Sequence, residues 1–314
     1  MNESPEEALD AQASVLMKRG ISLMNDPAAV ADALACFDQA LDIRRQLPAD
    51  ISLFRFGLAA CLLNRADALV RLGGDTHLAA ALLAYDEGIA VTRDLELASD
   101  PRFPRRLVIA YQNRGLALAM RGDIDSALGS FESAATLLED EVSAAIEDRR
   151  YMRAAVWMNL ANARIAAGRP ELDAPAHEAA LRAIALVDGL EAEEPGYADI
   201  GLRARHVLCR VAANRFSASP EGAAADDVHA ATDAVDEGLE LIRRWEQRGE
   251  PRFRGLACDL FRFGARVYAI FQPQFLDEFV ADNVDPSRSS QGYVDDPAVQ
   301  AAAQEALSLR PRSH

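Results

Sequence analysis

The chain has 314 residues, half of them hydrophobic, and a formal net charge of −16 at pH 7. That much apolar material can bury a large core, which excludes a disordered polymer, and the acidic balance argues against nucleic-acid or anionic-membrane surfaces, which need a basic face. No segment approaches ~18 uncharged apolar residues, and the opening MNESPEEALD is acidic where a secretory signal is basic and then apolar, so a cytoplasmic protein without membrane contact is expected.

Along the chain, apolar residues recur at three-and-four spacing with no β-branched alternation, which predicts an all-α protein. Turns are expected at Asn25-Asp26-Pro27, Gly73-Gly74-Asp75, Gly122-Asp123, Gly168-Arg169-Pro170 and Ser217 to Gly222, each followed by a helix capped by an acidic or small residue. They stand about 46 to 50 residues apart, so each unit is a hairpin of two helices of roughly twenty residues.

One phrase occurs twice. Residues 86–103, DEGIAVTRDLELASDPRF, and 236–253, DEGLELIRRWEQRGEPRF, match at Asp, Glu and Gly in the first three places and at Pro, Arg and Phe in the last three. They are expected to form the second helix of the second and fifth hairpins plus the turn into the next, with Pro101 and Pro251 in its first turn. Packing of a repeat junction explains the echo more simply than a shared binding role.

Residues 111–134, YQNRGLALAMRGDIDSALGSFESA, set Tyr111 and Gly115 on one helix and Ala127, Phe131 and Ala134 on the next. This resembles a tetratricopeptide repeat (TPR), with units longer than usual and mostly lacking the closing proline. The first unit offers Gly20 with Ala33, Phe37 and Ala40, and the second Ala66 with Ala81, Tyr85 and Gly88. The fourth offers Trp157, Leu160 and Ala161 with Ala176, Ala180 and Ala183, and the fifth Ala212 with Ala231, Val235 and Gly238. The resemblance implies an α-solenoid of about five hairpins over residues 1–272, with a cap and tail over 273–314. In the cap, Phe275, Leu276, Phe279 and Val280 form one stripe; a short helix over 297–309 follows a polar linker and either folds back into the groove or stays disordered.

Two residues before each small crossing position stand Lys18, Asn64, Asn113, Asn159, Arg210 and Arg262. In TPR proteins this column lines the inner, concave face, and in the carboxylate-clamp members Asn and Arg there hold a partner's terminal carboxylate. The resemblance therefore implies a binder of acidic or carboxylate-bearing peptides. For the three asparagines, a tie between neighbouring helices is the simpler role. Turns between units carry arginines, among them Arg44, Arg45, Arg93, Arg102, Arg105, Arg106, Arg149, Arg150, Arg153, Arg203, Arg205 and Arg243 to Arg254, explained equally by local pairing and by a partner. At a helix N-terminus, as for Arg102 and Arg105, a cation is unfavourable by up to about 1 kcal/mol. All but one of the 33 basic residues are arginine.

Signals for chemistry are weak. His177-Glu178 opens like a zinc-protease helix, but Leu181 occupies the place of the second histidine, and the five histidines share no ligand spacing. Asp226-Asp227 and Asp295-Asp296 precede helical runs and read as caps. The four cysteines lie singly, as reduced thiols do. The expectation is a non-catalytic scaffold with a protein or peptide partner and no cofactor or metal. A sensor of a small peptide or metabolite is the alternative, and an enzyme with an unfamiliar site stands behind it.

Overall fold

Turns rich in glycine, proline and aspartate cut the computed structural model, which describes residues 4–218, 225–284 and 297–308, into thirteen α-helices with no strand among the described residues. The expected turn over 217–222 falls largely outside them, as do Asp295-Asp296 and the side chains of Asp226 and Asp227. By contacts the chain divides into two compact units, Met1–Arg149 and Arg150–His314.

The N-terminal unit holds three hairpins: α1 (Pro5–Leu23) with α2 (Val30–Arg44), α3 (Ser52–Leu72) with α4 (Asp75–Arg93), and α5 (Arg102–Met120) with α6 (Ile124–Glu139). Ser4 and Glu7 form a capping box at the start of α1, satisfying two of the backbone donors that a helix leaves open. Gly73 and Gly74 turn the chain with φ of 70° and 81°, a region that side chains avoid, and Asp123 caps α6 through the Ser126 N–H. Consecutive hairpins pack α2 on α3 and α4 on α5. Gly115 lies directly against Phe131: a Cβ there would lie 2.6 Å from the ring. Gly20 and Phe37 repeat the arrangement, and Phe37 and Phe131 are buried. The TPR-like spacing thus reflects a close helix crossing.

The C-terminal unit starts with α7 (Arg149–Ala166) and α8 (Asp173–Val187), joined by Arg182 stacked 4.5 Å over Trp157 and by Arg164 donating to the Pro175 carbonyl. Next come α9 (Pro195–Ala218) and α10 (Ala225–Gln247), then α11 (Arg254–Phe271), α12 (Leu276–Val284) and α13 (Pro297–Ser308). Around Arg205, buried on α9, Glu191 accepts two hydrogen bonds at 2.8 and 2.9 Å and Glu237 of α10 closes on the other side at 3.1 Å. A desolvated guanidinium is stable here because both neighbours are carboxylates.

The region read as a cap does more than cover an end. A Cβ on Gly264 would lie 2.7 Å from the ring of Phe279, which is the glycine–ring contact of the earlier hairpins, so α11 and α12 make a further, shortened hairpin. Phe279 also stacks on Phe261 and Tyr268, with Leu276 and Val280 buried beside it. Phe275 departs from the expected stripe: it falls in the turn before α12 and is exposed. Helix α13 packs on α11 and α12 through Val299, Ala302, Ala303 and Ala306, and Glu305 pairs with Arg266 at 2.8 Å.

The echoed phrases occupy α4 and α10 as expected, and their matched residues hold junctions. Asp86 pairs with Arg114 of the following α5, while Asp236 accepts from Tyr268 of the following α11. Glu87 and Glu237 reach back to Arg45 and Arg205, and Arg102 and Arg252 each clasp the acid two residues earlier.

The glycine crossing gives a direct check. Gly115→Leu is expected to cost about 1 to 3 kcal/mol through overpacking, read as a lower unfolding midpoint. Gly129→Ala, on the exposed side of α6 where a Cβ meets nothing within 4 Å, is expected to stabilise by up to about 1 kcal/mol. An unchanged midpoint for Gly115→Leu would refute the crossing.

Candidate functional site

The first helices of successive hairpins expose a polar face in each unit. In the N-terminal unit Lys18 is exposed on α1, without an ion pair among the described residues. Asn64 donates back to the Ala60 carbonyl of its own helix at 2.8 Å, and Asn113 donates to Asp67 Oδ1 of α3 at 3.0 Å, a tie between neighbouring first helices. Tyr85 donates to the same oxygen at 2.5 Å. Burial holds the Asp67 carboxyl above the usual carboxylate range, against the pull of these two hydrogen bonds. Asn64, Asp67, Tyr85 and Asn113 line a cavity of about 420 Å³.

In the C-terminal unit Asn159 is half-buried on α7, whereas Arg210 of α9 and Arg262 of α11 are exposed and have no ion pair among the described residues. Arg262 lines a cavity of about 520 Å³ with His206, Phe216, Phe263, Phe271 and Glu305. Arg210 lies one turn beyond His206 on α9. A second cavity of about 610 Å³, lined by Tyr151, Gly196, Arg203 and Arg252, borders the first at Asp259 of α11. Burial pushes the His206 imidazole below its ordinary value; Asp259 opposes this, and Arg210 and Arg203 add to it.

Many arginines of the turns are paired within the chain, while Arg93 is exposed and Arg106 lies over the Phe56 ring instead. Arg45 pairs with Glu87 at 2.9 Å, Arg105 with Asp148 at 2.7 Å and Arg254 with Glu246 at 3.0 Å. Arg102 is held by Asp100 at 2.6 Å; that carboxylate also accepts the Arg102 N–H, so an anion sits at the start of α5 and removes the penalty on the cation. Arg150 donates to the carbonyls of Leu186 and Asp188 at the end of α8. Local pairing accounts for Arg45, Arg102, Arg105, Arg150 and Arg254.

Sequence reasoning missed the Asp67–Tyr85–Asn113 cluster. Its trace is an acid flanked by Ala66 and Ala68, both fully buried, in the middle of an apolar helix. Also missed was an opening of about 540 Å³ beside α10 and α12, lined by Asp233, Asp236, Glu278, Asp282, Tyr268 and Phe275. Among the described residues no group of three or more His, Cys, Asp or Glu is placed to hold a metal ion, and no helix is long and apolar enough to cross a membrane. Cys36, Cys61 and Cys209 are buried free thiols, and burial raises Cys61 to about 11.

No protein-family model and no curated protein matches the sequence. Solved structures do match in fold. BtubC (BKLC) from P. vanneervenii superposes with a TM-score of 0.53 at 16% identity, over 91% of this chain and 96% of that one. A putative kinesin light chain with nearly identical TPR-like repeats, from Podosopora anserina, gives 0.52 at 15% identity, over 78% of this chain and all of that one. With the hairpins and glycine–ring crossings described above, these likenesses define the class: a TPR-like helical repeat protein with the all-α fold of the TPR-like solenoids.

His206 supplies a pH test. The fold disfavours the imidazolium, so stability that is complete above the ordinary value of 6.5 is lost as pH falls through the lower folded value. Between pH 7 and about 5, the unfolding midpoint of the wild type should fall further than that of His206→Gln. Equal declines would mean that His206 is solvated.

Proposed function

We propose that this chain is a non-catalytic protein-interaction scaffold, and that the face of α9 and α11 takes an acidic or carboxylate-bearing peptide segment. The observation behind this reading is the contrast among arginines: many of those in the turns, such as Arg45, Arg105 and Arg254, are paired with carboxylates of their own chain, whereas Arg210 and Arg262, like Arg93, are exposed with no ion pair among the described residues. A guanidinium presents a planar fork that matches a carboxylate, and Arg262, beside an apolar wall of Phe263 and Phe271 and without an ion pair among the described residues, has donors to offer. Asn159, on the preceding first helix, adds a neutral donor to the same segment. A peptide lying along these helices meets Asn159, Arg210 and Arg262 one hairpin at a time. Lys18, Asn64 and Asn113 belong to the other unit, and the two asparagines there are engaged within it.

The test uses fluorescein-labelled peptides rich in Glu and Asp with a free C-terminal carboxylate, titrated by fluorescence anisotropy. Binding should weaken as salt rises. The Arg210→Ala, Arg262→Ala double variant should bind at least about tenfold more weakly while melting as the wild type does. Equal affinity of the two proteins would overturn the reading.

A further inference from the structure

The carboxylate of Asp67 poses a problem that the N-terminal unit does not solve internally. It sits in the body of α3, largely desolvated, yet both donors that reach it are neutral: the Tyr85 hydroxyl at 2.5 Å and the Asn113 amide at 3.0 Å. Both bonds fall on Oδ1. Among the described residues no hydrogen bond reaches Oδ2, and no arginine stands within ion-pair distance of either oxygen. Arg71, the basic residue of the cavity wall, donates instead to the Met24 carbonyl. Arg71 and Arg106 act on this carboxylate only from beyond ion-pair distance, and a carboxylate so largely withdrawn from water is ordinarily paired directly.

The surroundings define what could complete it. The cavity of about 420 Å³ has Asp67 and Tyr85 in its wall, and its apolar lining is Ile21 and Met24 of the first hairpin, Val70 of α3 and Leu116 of α5. Ile21 and Leu116 are 49% and 45% exposed, large apolar side chains left open to solvent at the mouth. Three successive first helices thus contribute one acid inside and a rim of aliphatic side chains. This matches a basic side chain carried between two apolar ones, whose stem lies along the rim and whose charged head reaches the acid.

We propose that this cavity is a second peptide site, specific for an arginine or lysine side chain of a protein partner, with Asp67 Oδ2 as acceptor and Ile21 and Leu116 as apolar contacts. Tyr85 and Asn113 act as positioning residues, because their bonds to Oδ1 fix the carboxylate and leave Oδ2 available. The proposal rests on the scaffold reading only in taking the ligand to be a peptide. Its chemistry is the opposite of that proposed at Arg210 and Arg262, so either site can fail alone.

The probe is a fluorescein-labelled, C-amidated pentapeptide with arginine flanked by two leucines, set against the same peptide with citrulline, which keeps the shape and removes the charge. The wild type should bind the arginine peptide about tenfold more tightly than the citrulline one, and Asp67→Asn should abolish that preference. Leu116→Ser, at an exposed position that leaves the core intact, should weaken both peptides by about fivefold and keep the preference. Methyl NMR on the unaltered protein tests the location without any variant: the signals of Ile21 and Leu116 should move on titration. Absence of binding, equal affinity for the two peptides, a preference that survives in Asp67→Asn, or shifts confined to other methyls would each overturn the assignment.

Discussion

A glycine on the first helix of a hairpin pressed against an aromatic ring from the second is the contact on which the architecture turns. It occurs at Gly20 with Phe37, Gly115 with Phe131 and Gly264 with Phe279, and in each case a methyl group on the glycine would collide with the ring. The contact fixes the separation of two helices and their rotation about their own axes. An α-helix advances 100° per residue, so the residue two places before the glycine points about 200° away from the ring. Lys18, Asn113 and Arg262 stand at that place. The polar face is therefore a geometric by-product of the crossing, and what each residue does there depends on its neighbours.

Those neighbours explain why an acidic protein uses arginine almost exclusively for its positive charge. Arg150 reaches two carbonyls at the end of another helix, Arg149 reaches the Leu138 carbonyl, and Arg205 spans two glutamates. Each contact uses more than one arm of a planar fork or a long approach to a helix C-terminus, where the helix dipole favours a cation. An ammonium offers a point charge and no such fork. The arginine bias thus has a structural use in this fold.

The fold was legible because its determinants are local. Turn residues, the glycine-to-ring spacing and the apolar period all lie within one hairpin, so Gly115 with Phe131 could be read from a stretch of about twenty residues. The last hairpin was harder: α12 has nine residues, too few to display a period, and Phe275 falls in the preceding turn although its spacing fits the stripe. The face was legible as a column of positions, but its chemistry was not. Asn113 meets Asp67 from 46 residues away and Tyr85 meets it from 18. Such pairs leave no pattern in sequence, since nothing local distinguishes an asparagine tied to an acid from one awaiting a ligand.

The chain's sole lysine brings a practical consequence. Lys18 is exposed on α1, one turn before Ile21 at the mouth of the Asp67 cavity. Any reagent selective for side-chain amines has that single address, since arginine does not react as an amine does. A fluorophore or cross-linker attached there would stand beside the opening that the first three hairpins share, turning one residue's rarity into a built-in reporter position.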